Sequence, residues 1–155
     1  MSGVARLPTD AVRTLAAVAE VMEAAQDPWW LIGGAAVALH GLSVAIADVD
    51  VLVSARDLRR VMVELDLACQ EGVAIDRVRS DIWVRWTALP LGVDFMSGLH
   101  IRSGERWTRV APISREAVAV QGATLYVSSR AELADICRLF GRPKDLERAE
   151  GLSRL

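Results

Sequence analysis

The chain has 155 residues, 52% apolar and 25% charged, enough for one buried core and too few for two comfortable domains. Its net charge of −2 argues against the concentrated basic surface that non-specific nucleic-acid binding requires. Cys69 and Cys137 stand far apart, without CxxC spacing or a His-rich segment, and so read as reduced thiols, not a zinc site.

Residues Met1 to Asp10 lack the apolar core of a signal peptide, which places the expectation in the cytoplasm. Thr9 or Asp10 is positioned to cap a first helix to about Gln26, with Leu15, Val18, Met22 and Ala25 at helical spacing. The stretch Pro28 to Ala47 has twenty residues without a formal charge, the length of a membrane span. Pro28, Gly33-Gly34, His40 and Gly41 interrupt it, and Asp27 and Asp48 flank it where basic residues belong, so no membrane association is expected. Within it Trp29 to Ile32 reads as a short strand, Gly33-Gly34 as a tight turn, and Ala35 to Leu39 as a short helix ending near His40-Gly41.

Ala45 to Val53 is a second strand, interrupted by Asp48 and Asp50. Ser54 caps a helix of roughly 55–70, with Leu58, Val61, Leu65 and Ala68 on one face and Gly72 past its end. From Val73 to Met96 the period changes to two: Ile82, Val84 and Trp86 alternate with Trp83, Arg85 and Thr87, and Leu89-Pro90-Leu91 turns the chain into Gly92 to Met96. Short strands follow near Trp107 to Val110 and on both sides of Gln121-Gly122. Ser129 to Glu132 has the form of a capping box for a helix to Phe140, after which Gly141 stops it and Pro143 opens a last helix. With no repeat or linker, the expectation is one α/β (α+β) domain over 1–155, a mixed sheet flanked by helices, with the helices of about 130–155 packed on it.

Side chains alternate along a strand, so Asp48 and Asp50 emerge on one face, about 7 Å apart by strand rise. Burying unpaired carboxylates costs several kcal/mol each, a cost that a hard divalent cation removes. An acid pair at a solvated strand end is the plain alternative. Asp94 weighs against it: a third acid in an apolar strand completes a set able to hold two cations around a phosphoryl group. Gly33-Gly34 adds a turn where missing Cβ atoms let a phosphate approach the backbone.

Ile32-Gly33-Gly34, thirteen intervening residues and Asp48-Val49-Asp50-Val51 together resemble the signature of the DNA polymerase β-like nucleotidyltransferase superfamily, and Val93-Asp94-Phe95 resembles its third acidic position. Gly33 to Gly41 and Gly141-Arg142-Pro143-Lys144-Asp145-Leu146 are similar to the small bacterial AbiEii-like nucleotidyltransferases, some of which are toxins of toxin–antitoxin pairs. The resemblance implies the nucleotidyltransferase fold, with Asp48, Asp50 and Asp94 as catalytic residues and ligands of Mg²⁺ or Mn²⁺. Gly33 and Gly34 would cradle the phosphates of a nucleoside triphosphate, and Arg142 or Lys144 would neutralise them. The acceptor stays open among tRNA, a protein and a small molecule, and a homodimer or partner protein is an expected source of acceptor-binding surface.

Family members often carry Arg and Ser/Thr four and two residues before the first Asp, where this chain has Val44 and Ile46. That keeps open a relative that binds nucleotide or a partner without catalysis; a metal-dependent DxD glycosyltransferase is a further alternative. Five tryptophans, Trp29, Trp30, Trp83, Trp86 and Trp107, read mainly as core and rim packing. His40 reads as a helix-end residue, His100 as a loop residue without a partner, and Arg85 as either solvated or facing the site.

Overall fold

The protein is described by a computed structural model covering residues 7–71 and 74–155. Gly72 and Val73, expected to end a helix and open the next strands, lie outside the described residues.

Helix α1 (Thr9–Met22) buries Leu15, Val18 and Met22 as the spacing requires. Pro8, not Thr9 or Asp10, occupies its cap position, leaving Asp10 in the first turn where a carboxylate favours the helix dipole. The helix stops short of Gln26 because the amides of Gln26 and Asp27 donate to the Asp57 carboxylate, both at 2.9 Å, and so leave the helical ladder. Strand β1 (Trp30–Ile32) passes through Gly33, at φ +69°, into helix α2 (Gly33–Leu39).

Strand β2 (Asp48–Leu52) begins at Asp48 and not at Ala45. The preceding residues are engaged elsewhere: the Leu42 side chain lies against Gly151 and the Ala45 carbonyl against Gly34. Helix α3 (Ala55–Leu65) starts where expected, with the Asp57 amide donating to Ser54 Oγ at 3.2 Å. It ends at Leu65 and not near 70, because Asp66 takes a left-handed conformation (φ 53°) and the Leu67 amide bonds back to Met62.

The remaining strands are β3 (Gln70–Glu71), β4 (Ala74–Ile75), β5 (Val78–Arg79), β6 (Ile82–Trp86), β7 (Gly92–Ser97), β8 (His100–Ser103), β9 (Arg106–Arg109), β10 (Glu116–Val120) and β11 (Ala123–Val127). Helices α4 (Arg130–Phe140) and α5 (Pro143–Ser153) follow. A mixed seven-stranded sheet has the order β10-β11-β1-β2-β7-β6-β3, and a four-stranded sheet the order β4-β5-β8-β9. In the large sheet β1–β11 and β2–β7 are parallel and the other pairs antiparallel. Gln121 and Gly122, both at positive φ, close the expected two-residue hairpin between β10 and β11.

The main core gathers Leu31, Val49, Val51, Val93, Phe95 and Leu125 from one face of the large sheet under α1 and α3. A second cluster joins Ile32 and Leu52 to Leu99, just before β8, to Ile101 of the small sheet and to Ile136 of α4. The capping box at Ser129 forms only in half. Ser129 Oγ accepts from the Glu132 amide, but the Glu132 carboxylate accepts from the amides of Ile113 and Ser114 and from Ser114 Oγ, and Ser114 Oγ takes the Ser129 amide in its place. Among the described residues no helix is long and apolar enough to cross a membrane.

Candidate functional site

Parallel pairing of β2 with β7 sets Asp50 beside Asp94 and Asp48 beside Gly92. Because Val49, Val51, Val93 and Phe95 are fully buried on one face, alternation sends Asp48, Asp50 and Asp94 together to the other. The sequence pattern could supply two acids on one strand; the register supplies the third.

Arg85 lies opposite Asp94 on β6. It donates from Nη1 to Asp94 Oδ2 and from Nη2 to Asp48 Oδ1, each at 2.8 Å, spanning the two strands with one planar fork. The fork passes over Gly92, where a Cβ would stand 2.3 Å from Nη2. Bonding to Asp48 first, then Asp94, holds the Arg85 pKa above its ordinary value. Trp83 donates from Nε1 to Asp94 Oδ1 at 3.0 Å, so Asp94 is held from two sides. Arg85, which the sequence leaves as either solvated or facing the site, and Trp83, expected in packing, both bond Asp94.

Asp50 is in a different state. A Cβ on Gly33 would sit 2.6 Å from Asp50 Oδ2, so the left-handed glycine makes room for this carboxylate. Burial, then the charges of Asp94 and Asp48, push its pKa up to about 7, with Arg142 and Arg85 only partly offsetting them. Burial and like charge thus hold Asp50 toward its neutral form.

Gly34 faces the Arg148 guanidinium, 3.3 Å from where its Cβ would be, a contact no sequence pattern announced. Arg142 exerts a positive field on Asp50, yet its guanidinium is bound to Asp145, Nε to Oδ2 at 2.6 Å and Nη2 to Oδ1 at 3.1 Å. Asp145 also accepts from the Arg142 amide at 3.2 Å and so caps α5. Lys144 is exposed on a groove of about 450 Å³ that it shares with Val44, Ala45, Arg148 and Gly151. A cavity of about 930 Å³ is lined by Asp27, Trp29, Arg115 and Tyr126 and includes none of the three acids.

Among the described residues no three His, Cys, Asp or Glu side chains converge as a ready metal-binding group. Asp48 and Asp94 both point at Arg85. The donor set, three carboxyl groups on one face of a parallel strand pair, still suits a hard divalent cation.

The remaining aromatic and imidazole side chains have structural partners. Trp29 is buried edge-on to Tyr126, Trp86 packs near Phe95, Trp30 donates to the Ser114 carbonyl, and Arg79 stacks on Trp107. His40 Nε2 lies 2.8 Å from the Ser128 carbonyl, in keeping with a packing role at the end of α2. His100, expected in a loop without a partner, belongs to β8 and contacts the Gly98 carbonyl at 2.8 Å.

No family model and no curated protein sequence matches the chain. Solved structures do. The candidate nucleotidyltransferase TM1012 of Thermotoga maritima is similar with a TM-score of 0.68 and 16% identity over 91% of this chain and 89% of that one. ANT(2")-Ia, in complex with adenylyl-2"-tobramycin, is similar at 0.55 and 12% identity over 90% and 87%. The lincosamide antibiotic adenylyltransferase LnuA, bound to lincomycin, is similar at 0.54 and 10% identity over 88% and 94%. At such identities the likeness establishes the fold: the chain has the mixed α/β architecture of nucleotidyltransferases.

Proposed function

We propose that this protein is a nucleotidyltransferase of the polymerase β-like superfamily, transferring a nucleoside monophosphate from a nucleoside triphosphate to an acceptor hydroxyl. The carrying observation is the set Asp48, Asp50 and Asp94 on one face of a parallel strand pair, against the left-handed Gly33. Asp48, Asp50 and Asp94 would hold Mg²⁺ or Mn²⁺, which when bound neutralises phosphate charge and polarises the phosphoryl group. Gly33 and Gly34 leave the backbone open to the phosphates, with Arg148 and Arg142 as the nearby cations. Asp94 is the base for the acceptor hydroxyl: the acceptor oxygen attacks the α-phosphorus in line, its proton goes to Asp94, and pyrophosphate leaves.

The likeness to ANT(2")-Ia and LnuA, whose structures carry an adenylylated antibiotic and an antibiotic, supports a small polyhydroxyl acceptor and ATP as the donor. The AbiEii-like segments support a toxin–antitoxin setting in which a partner protein or second copy supplies acceptor-binding surface. One observation favours a second reading, a nucleotide-binding relative without catalysis: Arg85 already occupies an oxygen of two of the three acids.

A thermal-shift panel of Mg²⁺ with each nucleoside triphosphate, on the wild type and on D48A/D50A, tests the reading. A ligand at a hundredfold excess over its Kd should stabilise the wild type by roughly 2.7 kcal/mol and leave the variant unmoved. No metal-dependent shift with any triphosphate would overturn it; a shift without transfer of label from α-labelled triphosphate to any acceptor would select the non-catalytic reading.

A further inference from the structure

We propose that Arg85 is a resident counter-cation that closes the acid cluster to divalent metal, and that loading of the metal with a triphosphate displaces it from Asp48. The inference rests on the nucleotidyltransferase reading above and names a regulatory step of that same site.

The Arg85 fork takes one oxygen from Asp48 and one from Asp94, across the space between two of the three carboxylates. A cation bound by both acids would compete with it for those oxygens, and like charges exclude one another at such distances. The two arms differ in strength. The Asp48 arm joins side chains that are 43% and 40% exposed, so water screens it; Asp94 is only 14% exposed. Displacement therefore begins at Asp48, while Trp83 keeps Asp94 oriented through its other oxygen.

Gly92 supports the same assignment. It lies in an extended strand with no positive φ, so its backbone has no need of glycine. What the missing side chain provides is space for the Arg85 Nη2 atom, 2.3 Å from where a Cβ would be. The strand leaves a channel for the guanidinium to lie flat between the acids. Once released, that guanidinium remains on β6 beside the cluster, where an incoming triphosphate offers it new anionic partners.

The test is Mn²⁺ binding to the intact protein without nucleotide, read from the electron paramagnetic resonance of free Mn²⁺, for wild type, R85Q and D48N/R85Q. R85Q is expected to bind at least tenfold more tightly than wild type, with the gain lost in D48N/R85Q. A non-hydrolysable triphosphate should tighten Mn²⁺ binding more in the wild type than in R85Q. If R85Q does not fold, G92A, which pushes the guanidinium off Asp48 while keeping its charge, is read in the same titration with the same expectation. Metal binding by wild type and the folded variant with equal affinity overturns the inference and leaves the functional reading standing. Absence of metal binding in every protein, with and without triphosphate, overturns both.

Discussion

Burial beside Gly33 and the neighbouring charges of Asp94 and Asp48 raise the Asp50 carboxyl to about 7, against 3.8 in an unfolded chain. Below both values the group is protonated in both states. Between them the unfolded chain releases its proton while the folded chain keeps it, so this residue makes stability fall as pH rises from about 4 to about 7. Three units at about 1.4 kcal/mol each set an upper limit of roughly 4 kcal/mol. D50N cannot ionise and should therefore be more stable than wild type above pH 7 without metal, the difference vanishing near pH 4. Urea denaturation of both proteins at pH 4.5 and pH 8 checks this; parallel pH profiles would show that Asp50 is an ordinary carboxylate. At this scale the acid residues were visible in the sequence, but their charge balance was not. Arg85 and Trp83 reach Asp94 only through antiparallel pairing with β7, and Arg148 reaches Gly34 from a helix more than a hundred residues away.

Helix α3 has a start that is legible in the sequence and an end that is not. Its start depends on Ser54 and an amide three residues on, a local bond that the sequence announces. Its end depends on Asp66 adopting a left-handed conformation, and α1 ends where Asp57, on another element, captures the amides of Gln26 and Asp27. Asp57 is 1% exposed and ties α3 to the segment leading into β1. D57A removes a charged acceptor from two backbone donors and should cost about 3 kcal/mol, with D57N losing roughly half as much. Guanidinium denaturation measures both, and a loss under about 0.5 kcal/mol in D57A would mean that water replaces the carboxylate at no cost.

On the scale of the whole molecule, α4 and α5 are part of the core. Leu133 and Cys137 of α4 and Ala149 and Leu152 of α5 are buried in the main cluster with Val37 and Leu125. Removing residues 143–155 withdraws Leu152 and Ala149 and uncovers the α4 face, a loss of about 2–3 kcal/mol for the leucine alone. It also removes Arg148, which faces Gly34, and the Asp145 partner of Arg142. The truncated chain is expected to lose its near-ultraviolet circular dichroism and cooperative melting; a cooperative transition within 5 °C of the intact protein's would show that α5 is a peripheral addition.

The strand bearing Asp48 and Asp50, the glycine turn before it and the alternating strands that follow can be read along the chain, because each follows from side-chain periodicity and local backbone chemistry. The likeness of those segments to nucleotidyltransferases anticipated the fold that the solved structures match. Which groups meet there is a matter of the folded chain: Asp94 stands beside Asp50, Gly33 makes room for the Asp50 carboxylate, and Arg85 crosses Gly92 to hold Asp48. Strand register and the packing of distant elements set those encounters, and a local pattern carries no information about either.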